Sequence, residues 1–139
     1  MDGIAFEDLH IGQSASLGKT ITEADILLYG AVSLDTNPVH FNNDVAAQTP
    51  FKSRIAHGML SAGLISAVMG TKLPGAGSIY LAQTLSFRRP VHIGDTVTAT
   101  VTITALDPAT RQATLSTVCT VAGKKVITGE ATVLPPARA

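Results

Sequence analysis

The chain has 139 residues, which is enough for one domain and too few for two domains of ordinary size. Apolar residues make up 45% and charged residues only 14%, so the composition excludes a disordered chain and indicates extensive burial, part of it between subunits. Ten basic and ten acidic residues give a formal net charge of zero, which excludes the basic surface that nucleic-acid binding generally requires.

The charges are unevenly distributed along the chain. Residues 1–44 hold seven acids and one base (net −6), whereas residues 45–139 hold nine bases and three acids (net +6). Two interpretations are open: attraction between the two halves within the fold, or a basic rim that receives a phosphorylated carrier.

The N-terminal segment and the cysteine content indicate the compartment. Cys119 is the single cysteine, which excludes an intrachain disulfide and a multi-cysteine metal site and favours a cytoplasmic location. The acidic start lacks the basic and apolar regions of a secretory signal, so we expect no export.

The predicted elements begin with a strand near 13–19. A capping-box-like start at Thr22 and Asp25 then predicts a helix over about 23–34. Pro38 disfavours further helical geometry, which places the residues from Asp35 to His40 on the loop that leaves this helix. Asn42 or Asn43 is suited to cap a further short helix.

The segment over 57–71 is apolar at helical spacing and predicts a buried helix. It falls short of the ~20 apolar residues that a membrane span needs, so we expect no membrane insertion. Strands follow over about 79–88, 96–105, 112–122 and 125–134. Threonine alternates with apolar residues in the second of these, which places Val97, Val101 and Ile103 on one face, and Ala122-Gly123-Lys124 suits a hairpin. The predicted fold class is α+β, with a sheet that covers one long helix.

Spacing excludes several common active sites. Ser61 stands one place too far from Gly58 for a G-x-S-x-G serine-hydrolase motif. The segment 75–78 has neither a dinucleotide fingerprint nor a P-loop and is typical of a turn. The four histidines lack compact ligand spacing, so we expect no metal site.

One polar cluster remains, formed by Asp35-Thr36-Asn37-Pro38-Val39-His40 and by His57-Gly58, which follows His40 after seventeen residues. The negative end of the first helix disfavours an ionised Asp35 and favours a protonated His40, and apolar burial favours the neutral carboxyl further. Such a pair can exchange protons near neutral pH.

Purely structural interpretations of the same residues are also open. The loop fits an Asx-type turn that closes the helix, and His57 fits a capping or packed histidine. Gly58 fits either close helix–sheet packing or a backbone N–H that stabilises an oxyanion. A shared pocket would separate these interpretations.

Three segments together resemble the MaoC-like, (R)-specific enoyl-CoA hydratases: Asp35-Thr36-Asn37-Pro38-Val39-His40, Ile55-Ala56-His57-Gly58-Met59, and 77–87. The resemblance extends from about Phe6 to Leu134. It implies a hot-dog fold over 1–139 as a single domain, in which an antiparallel sheet wraps the helix at 57–71 and dimers form by joining sheets.

The resemblance also implies an activity, the reversible syn addition of water to a trans-2-enoyl-CoA to give an (R)-3-hydroxyacyl-CoA. It implies that Asp35 and His40 form the catalytic dyad and that the backbone N–H of Gly58 polarises the thioester carbonyl. Supporting roles fall to three further residues: Asn37 in holding the loop, Ser66 near the acyl pocket, and His57. The expected partners are an acyl-CoA and a second copy of the chain, without a metal or redox cofactor.

Other members of the same structural class offer alternatives. These are a (3R)-hydroxyacyl-carrier-protein dehydratase, a hot-dog thioesterase, and a non-catalytic acyl-CoA-binding subunit. Polyester precursor supply and fatty-acid oxidation are both open as physiological roles. The carrier's phosphates have six candidate contacts: Lys52, Arg54, Arg88, Arg89, Lys124 and Lys125.

Overall fold

The computed structural model describes residues 2–138, and within them the elements follow the predicted order. A short 3₁₀ turn over Phe6–Asp8 precedes the first strand. The helices are α1 (Glu23–Ser33), α2 (Pro38–Phe41), α3 (Asn43–Ala47) and α4 (Gly58–Thr71). The strands are β1 (Ser14–Thr20), β2 (Ile79–Phe87), β3 (Thr96–Asp107), β4 (Gln112–Val121) and β5 (Lys124–Leu134).

The five strands form one sheet in the order β1-β3-β4-β5-β2, and every neighbouring pair is antiparallel. Helix α4 packs against this sheet, most extensively against β3. The sheet leaves β1 and β2 as its edges. The α+β prediction is therefore confirmed.

Alternation along β3 positions the core. Val97, Val101 and Ile103 are buried on one face, as predicted, while the intervening threonines stay partly accessible. Leu115 and Cys119 of β4 continue the same buried layer. This layer meets the buried face of α4, which includes Ile65, Val68 and Met69.

The hairpin between β4 and β5 has a two-residue turn. Ala122 (φ 49°) and Gly123 (φ 77°) both have positive φ, as a turn that matches the right-handed twist of the strands requires. Lys124, which the prediction placed in the connection, is instead the first residue of β5.

The ends of α1 and α4 determine where the polar cluster lies. The Thr22 hydroxyl accepts from the Asp25 N–H and the Asp25 carboxylate accepts from the Thr22 N–H, which completes the predicted capping box. Leu34 ends α1 in a left-handed conformation (φ 64°). His57 is the N-cap of α4. Among residues 2–138, no helix has both the length and the apolar character needed to cross a bilayer.

Ion pairs join the acidic and basic halves of the chain. Arg54 pairs with Glu23, Arg111 with Glu7, and Arg138 with Asp8. The hydrogen bond from Arg111 lowers the pKa of Glu7. Attraction between the halves, the first interpretation of the charge pattern, is therefore present in the fold.

Candidate active site

The loop after α1 carries Asp35 and is held by its own side chains. The Asp35 Oδ1 accepts from the Asn37 N–H at 3.3 Å, which makes an Asx turn. The Asn37 Oδ1 accepts from the Val39 N–H at 3.3 Å and caps α2. Pro38 is the first residue of α2, where its missing N–H costs no hydrogen bond. Asp35 therefore lies on the loop, as predicted. The prediction that His40 also lies on this loop is wrong, because Pro38 begins helix α2 and His40 belongs to it.

The His40 ring is buried, and its tautomer follows from its partner. Nδ1 lies 2.8 Å from the Ile55 carbonyl oxygen. Because a carbonyl oxygen only accepts, Nδ1 must carry the proton, and Nε2 keeps its lone pair. The neutral imidazole thus offers a base at Nε2.

Burial lowers the pKa of His40 below its ordinary value, and the nearby His57 lowers it further. The hydrogen bond to Ile55 and the Asp35 charge act in the opposite direction and do not outweigh burial. The prediction of a protonated His40 is therefore wrong, because burial lowers its pKa by more than the Ile55 hydrogen bond and the Asp35 charge raise it. The expected burial of Asp35 is also wrong, since that residue is exposed.

His57 lies beneath His40 and connects it to the loop. The two rings stack with centroids 3.9 Å apart and 29° between their planes. His57 Nε2 donates to the Asp35 carbonyl oxygen at 2.8 Å, while Nδ1 has no hydrogen-bond partner in the described part of the chain. Tyr29 and Phe41 complete the ring cluster around His57. His57 is thus a packed histidine as well as part of the site.

The potential ligand atoms of Asp35, His40 and His57 lie within 4.8 Å of one another, a spacing at which a cation can be held. A metal ion lies close to the plane of each imidazole that binds it, about 2.1 Å from the nitrogen. Each ring already donates one N–H to a backbone carbonyl oxygen, so one nitrogen of each ring is left to accept a proton or to bind a cation. The absence of a metal stays a prediction.

A cavity of about 420 Å³ brings the predicted residues together. Asp35, His40, His57 and Gly58 all line it. Most of the remaining wall is apolar and comes from Phe51, Ile55, Met59, Phe87, Val91 and Ile127. The shared pocket that separates a functional cluster from a simple turn is therefore present, with room for an acyl chain.

Gly58 is the first residue of α4, so its N–H has no intrahelical acceptor. A Cβ at this position would lie 2.5 Å from the Phe87 ring, which is closer than packing allows. Both predicted interpretations of Gly58 are thus compatible: close packing against β2 and an N–H at the cavity wall.

The sequence did not indicate the positions of two residues at this site. Ser61 is 1% exposed, lines the cavity, and has no partner for its hydroxyl among residues 2–138. Its position four residues after His57, on the same helix face, was the available signal. Arg54 donates from Nε to the His40 carbonyl oxygen at 2.7 Å and forms two bonds with Glu23, at 2.9 and 3.0 Å. Glu23 is 31 residues away, so no local pattern indicates the pair.

Ser66 is not brought to the cavity within this chain. It is exposed on α4 and is absent from the cavity lining. Ser66 lies five positions after Ser61, which turns it about 140° around the helix axis.

Comparison with known proteins agrees with this geometry. The family model described as "MaoC like domain" matches residues 9–130. An (R)-specific enoyl-CoA hydratase from Rhodospirillum rubrum is 65% identical over 133 residues, which cover 96% of this chain and 92% of that protein. The unliganded R-hydratase PhaJ1 from Pseudomonas aeruginosa superposes with a TM-score of 0.92 at 44% identity, covering 98% of this chain and 88% of that one.

The (R)-hydratase from A. caviae involved in PHA biosynthesis superposes with a TM-score of 0.91 at 46% identity, and the match covers 94% of this chain and 99% of that chain. The chain belongs to the MaoC-like domain family, and its fold is the hot-dog fold of these hydratases.

Proposed function

We propose that the chain is an (R)-specific enoyl-CoA hydratase, a hydro-lyase that adds water reversibly to a trans-2-enoyl-CoA. One observation carries the proposal: the Asp35 carboxyl and a neutral His40 base line one apolar cavity, with potential ligand atoms within 4.8 Å of each other. The similarity to the R. rubrum hydratase supports the substrate class and the (R) configuration.

Substrate binding follows from the wall of the cavity. The apolar side chains receive the unsaturated acyl chain, and the thioester carbonyl points toward the Gly58 N–H. Addition of water to C3 places negative charge on the carbonyl oxygen. The N–H and the positive end of α4 stabilise that charge, which lowers the barrier.

Proton transfer is assigned to the two side chains. His40 Nε2 takes a proton from water while the hydroxyl oxygen bonds to C3, which leaves an enolate on the thioester. His40 passes this proton to the Asp35 carboxylate, and Asp35 delivers it to C2, so both groups end as they began. Because both side chains act from one segment, the hydrogen and the hydroxyl reach the same face of the double bond. The reverse sequence is syn dehydration.

The direct test is hydration of crotonyl-CoA by the purified protein. The reaction is monitored through the loss of ultraviolet absorbance as the conjugated thioester is consumed. The product is then offered separately to (R)- and (S)-specific 3-hydroxyacyl-CoA dehydrogenases. We expect oxidation by the (R)-specific enzyme only. An (S) product, or no hydration by protein that is folded, would contradict the proposal.

The rival activities have distinct readouts. A carrier-protein dehydratase turns over crotonyl carrier protein in preference to crotonyl-CoA. A thioesterase releases free thiol, which a thiol reagent detects. Burial raises the pKa of Cys119 to about 11, so the protein's own thiol contributes little background. A non-catalytic subunit binds acyl-CoA without turnover.

A second copy of the chain is the proposed partner. The edge strand β2 exposes Ile79, Leu81 and Phe87, and an apolar edge without a partner favours pairing with another strand. Sedimentation velocity should give a dimer, and Leu81→Lys should shift it toward the monomer. We also propose a cytoplasmic location, which cell fractionation tests.

A further inference from the structure

We propose that Arg88, Arg89, Lys125 and Thr128 form a phosphate-binding subsite for the carrier of the thioester. This inference rests on the proposed function and goes beyond it by assigning the residues that hold the carrier. The four residues line an open recess of about 420 Å³. Arg88 and Arg89 also line the acyl cavity, so the recess adjoins the site of chemistry.

The charges in the recess are available to a ligand. Arg88, Arg89 and Lys125 form no ion pair within residues 2–138, and no acidic side chain lines the recess. By contrast, four basic residues elsewhere in this part of the chain are paired with acids: Lys19, Arg54, Arg111 and Arg138. The second interpretation of the charge pattern, a basic rim, therefore has a defined location.

A β-bulge builds the recess. Between β4 and β5, Cys119 pairs with Ile127 and Thr120 pairs with Lys125, so Val126 is an extra residue in β5. Without it, Lys125 and Thr128 would point to opposite faces of the strand, because side chains alternate. The bulge brings both to the same side.

The same bulge residue anchors the arginines. The backbone N–H groups of Arg88 and Arg89 both donate to the Val126 carbonyl oxygen, at 2.8 and 3.4 Å. The Arg88 side chain donates from Nε to the Thr128 hydroxyl at 3.1 Å, which orients the guanidinium and leaves its terminal N–H groups for a ligand. A planar guanidinium held in this way is suited to phosphate oxygens.

The recess lies where the carrier must leave the cavity. Phe87 packs against Gly58, whose N–H donates to the thioester carbonyl oxygen in the proposed mechanism, and Arg88 follows Phe87 directly. Three cations match the several phosphate charges of coenzyme A better than the single phosphodiester of a carrier protein's phosphopantetheine arm. The shared chemistry is a phosphate group, and the experiment separates the two sources.

The experiment compares four crotonyl thioesters: those of coenzyme A, 3′-dephospho-coenzyme A, 4′-phosphopantetheine and pantetheine. Arg88→Gln and Lys125→Gln are each compared with the wild type. Lys124→Gln is the matched control, since it removes the same charge from the adjacent residue, which does not line the recess. We expect each recess variant to raise KM for crotonyl-CoA about tenfold with kcat retained.

The phosphate-free pantetheine thioester should show the same KM in all proteins. An unchanged KM for crotonyl-CoA in both recess variants would overturn the subsite, as would an equal rise with pantetheine. A different outcome is a rise in KM that is equally large with the thioesters of 3′-dephospho-coenzyme A and 4′-phosphopantetheine. In that case the subsite binds a phosphate that both carriers share, and the preference for coenzyme A is overturned.

Calorimetric titration with free coenzyme A keeps this result apart from the hydratase assignment. Binding that weakens in Arg88→Gln and Lys125→Gln but not in Lys124→Gln supports the subsite even if no thioester is hydrated. Conversely, hydration of crotonyl-CoA and crotonyl-pantetheine with the same KM by the wild type overturns the subsite and leaves the hydratase activity standing.

Discussion

The His57 imidazole and the Asp35 backbone are joined by a hydrogen bond of 2.8 Å, from Nε2 to the carbonyl oxygen. Since Gly58 follows His57 directly, this contact fixes the loop that carries the carboxyl relative to the start of α4. The two halves of the proposed chemistry, proton transfer and carbonyl polarisation, are therefore held by one rigid connection.

Replacing either member of the dyad should abolish most activity without unfolding the protein. We expect Asp35→Asn and His40→Ala each to lower kcat for crotonyl-CoA by about 10²–10⁴-fold, the usual contribution of a positioned acid or base. Asp44→Asn, which neutralises another exposed acid close by in α3, is the control and should retain activity. Wild-type rates in either dyad variant would remove that residue from the mechanism.

The pH dependence should follow the lowered pKa of His40. The base must be neutral, so kcat/KM should stay high as the pH falls and should decline only below the ordinary imidazole value of 6.5. Stability should change in the same direction. At a pH between the folded and unfolded pKa values of His40, the unfolded chain binds more protons than the folded chain. The free energy of unfolding should therefore decrease as the pH falls below 6.5. A rate profile with its acidic inflection above 6.5 would contradict the neutral, buried base.

Arg54 is expected to act through the position of His40. Its side chain is 10% exposed and holds both Glu23 and the His40 carbonyl oxygen. Arg54→Gln should lower kcat about tenfold with little change in KM, and should destabilise the fold by about 1.5–3 kcal/mol through the lost charged hydrogen bonds. Glu23→Gln keeps the Arg54–His40 bond and should retain most of kcat. A rise in KM with kcat unchanged would mean that Arg54 contacts the carrier.

Ser61 should show opposite effects on stability and activity. A buried hydroxyl without a partner costs about 1–3 kcal/mol, so Ser61→Ala should be as stable as the wild type or more stable in thermal unfolding. Because Ser61 lines the cavity, removal of its hydroxyl should lower kcat/KM severalfold. Ser16→Ala is the control, because Ser16 is exposed on the edge strand β1 and does not line the cavity. Full activity of Ser61→Ala would assign that serine to packing alone.

Chelation should leave the activity intact. The proposed proton transfers use only Asp35, His40 and water, so we expect protein treated with a chelator to keep its kcat. Elemental analysis of the purified protein should find no stoichiometric metal. Activity that is lost with the chelator and restored by one added cation would place a metal at Asp35, His40 and His57.

Local patterns predicted most of the fold. Alternation between threonine and apolar residues predicted β3, the Thr22–Asp25 pair predicted the start of α1, and Pro38 predicted the loop that carries Asp35. These signals act over a few residues, so they can be recognised without knowledge of the tertiary structure.

The remaining features depend on residues far apart in sequence. The burial that lowers the pKa of His40 comes from the packing of the loop against His57 and Ile55. The Glu23–Arg54 pair spans 31 residues, and the bulge at Val126 appears only once β5 is paired with β4. The end of α1 alone does not determine the protonation of His40, because the burial of the ring depends on groups distant in sequence that pack against it.

The burial of Cys119 also makes the protein convenient for spectroscopy. Its thiol is fully buried beneath α4, and its pKa of about 11 keeps the reactive thiolate scarce at neutral pH. A cysteine introduced at an exposed position can therefore be labelled selectively in the native protein with a single dye. A fluorophore placed beside the cavity mouth would report acyl-CoA binding without removal of the natural cysteine.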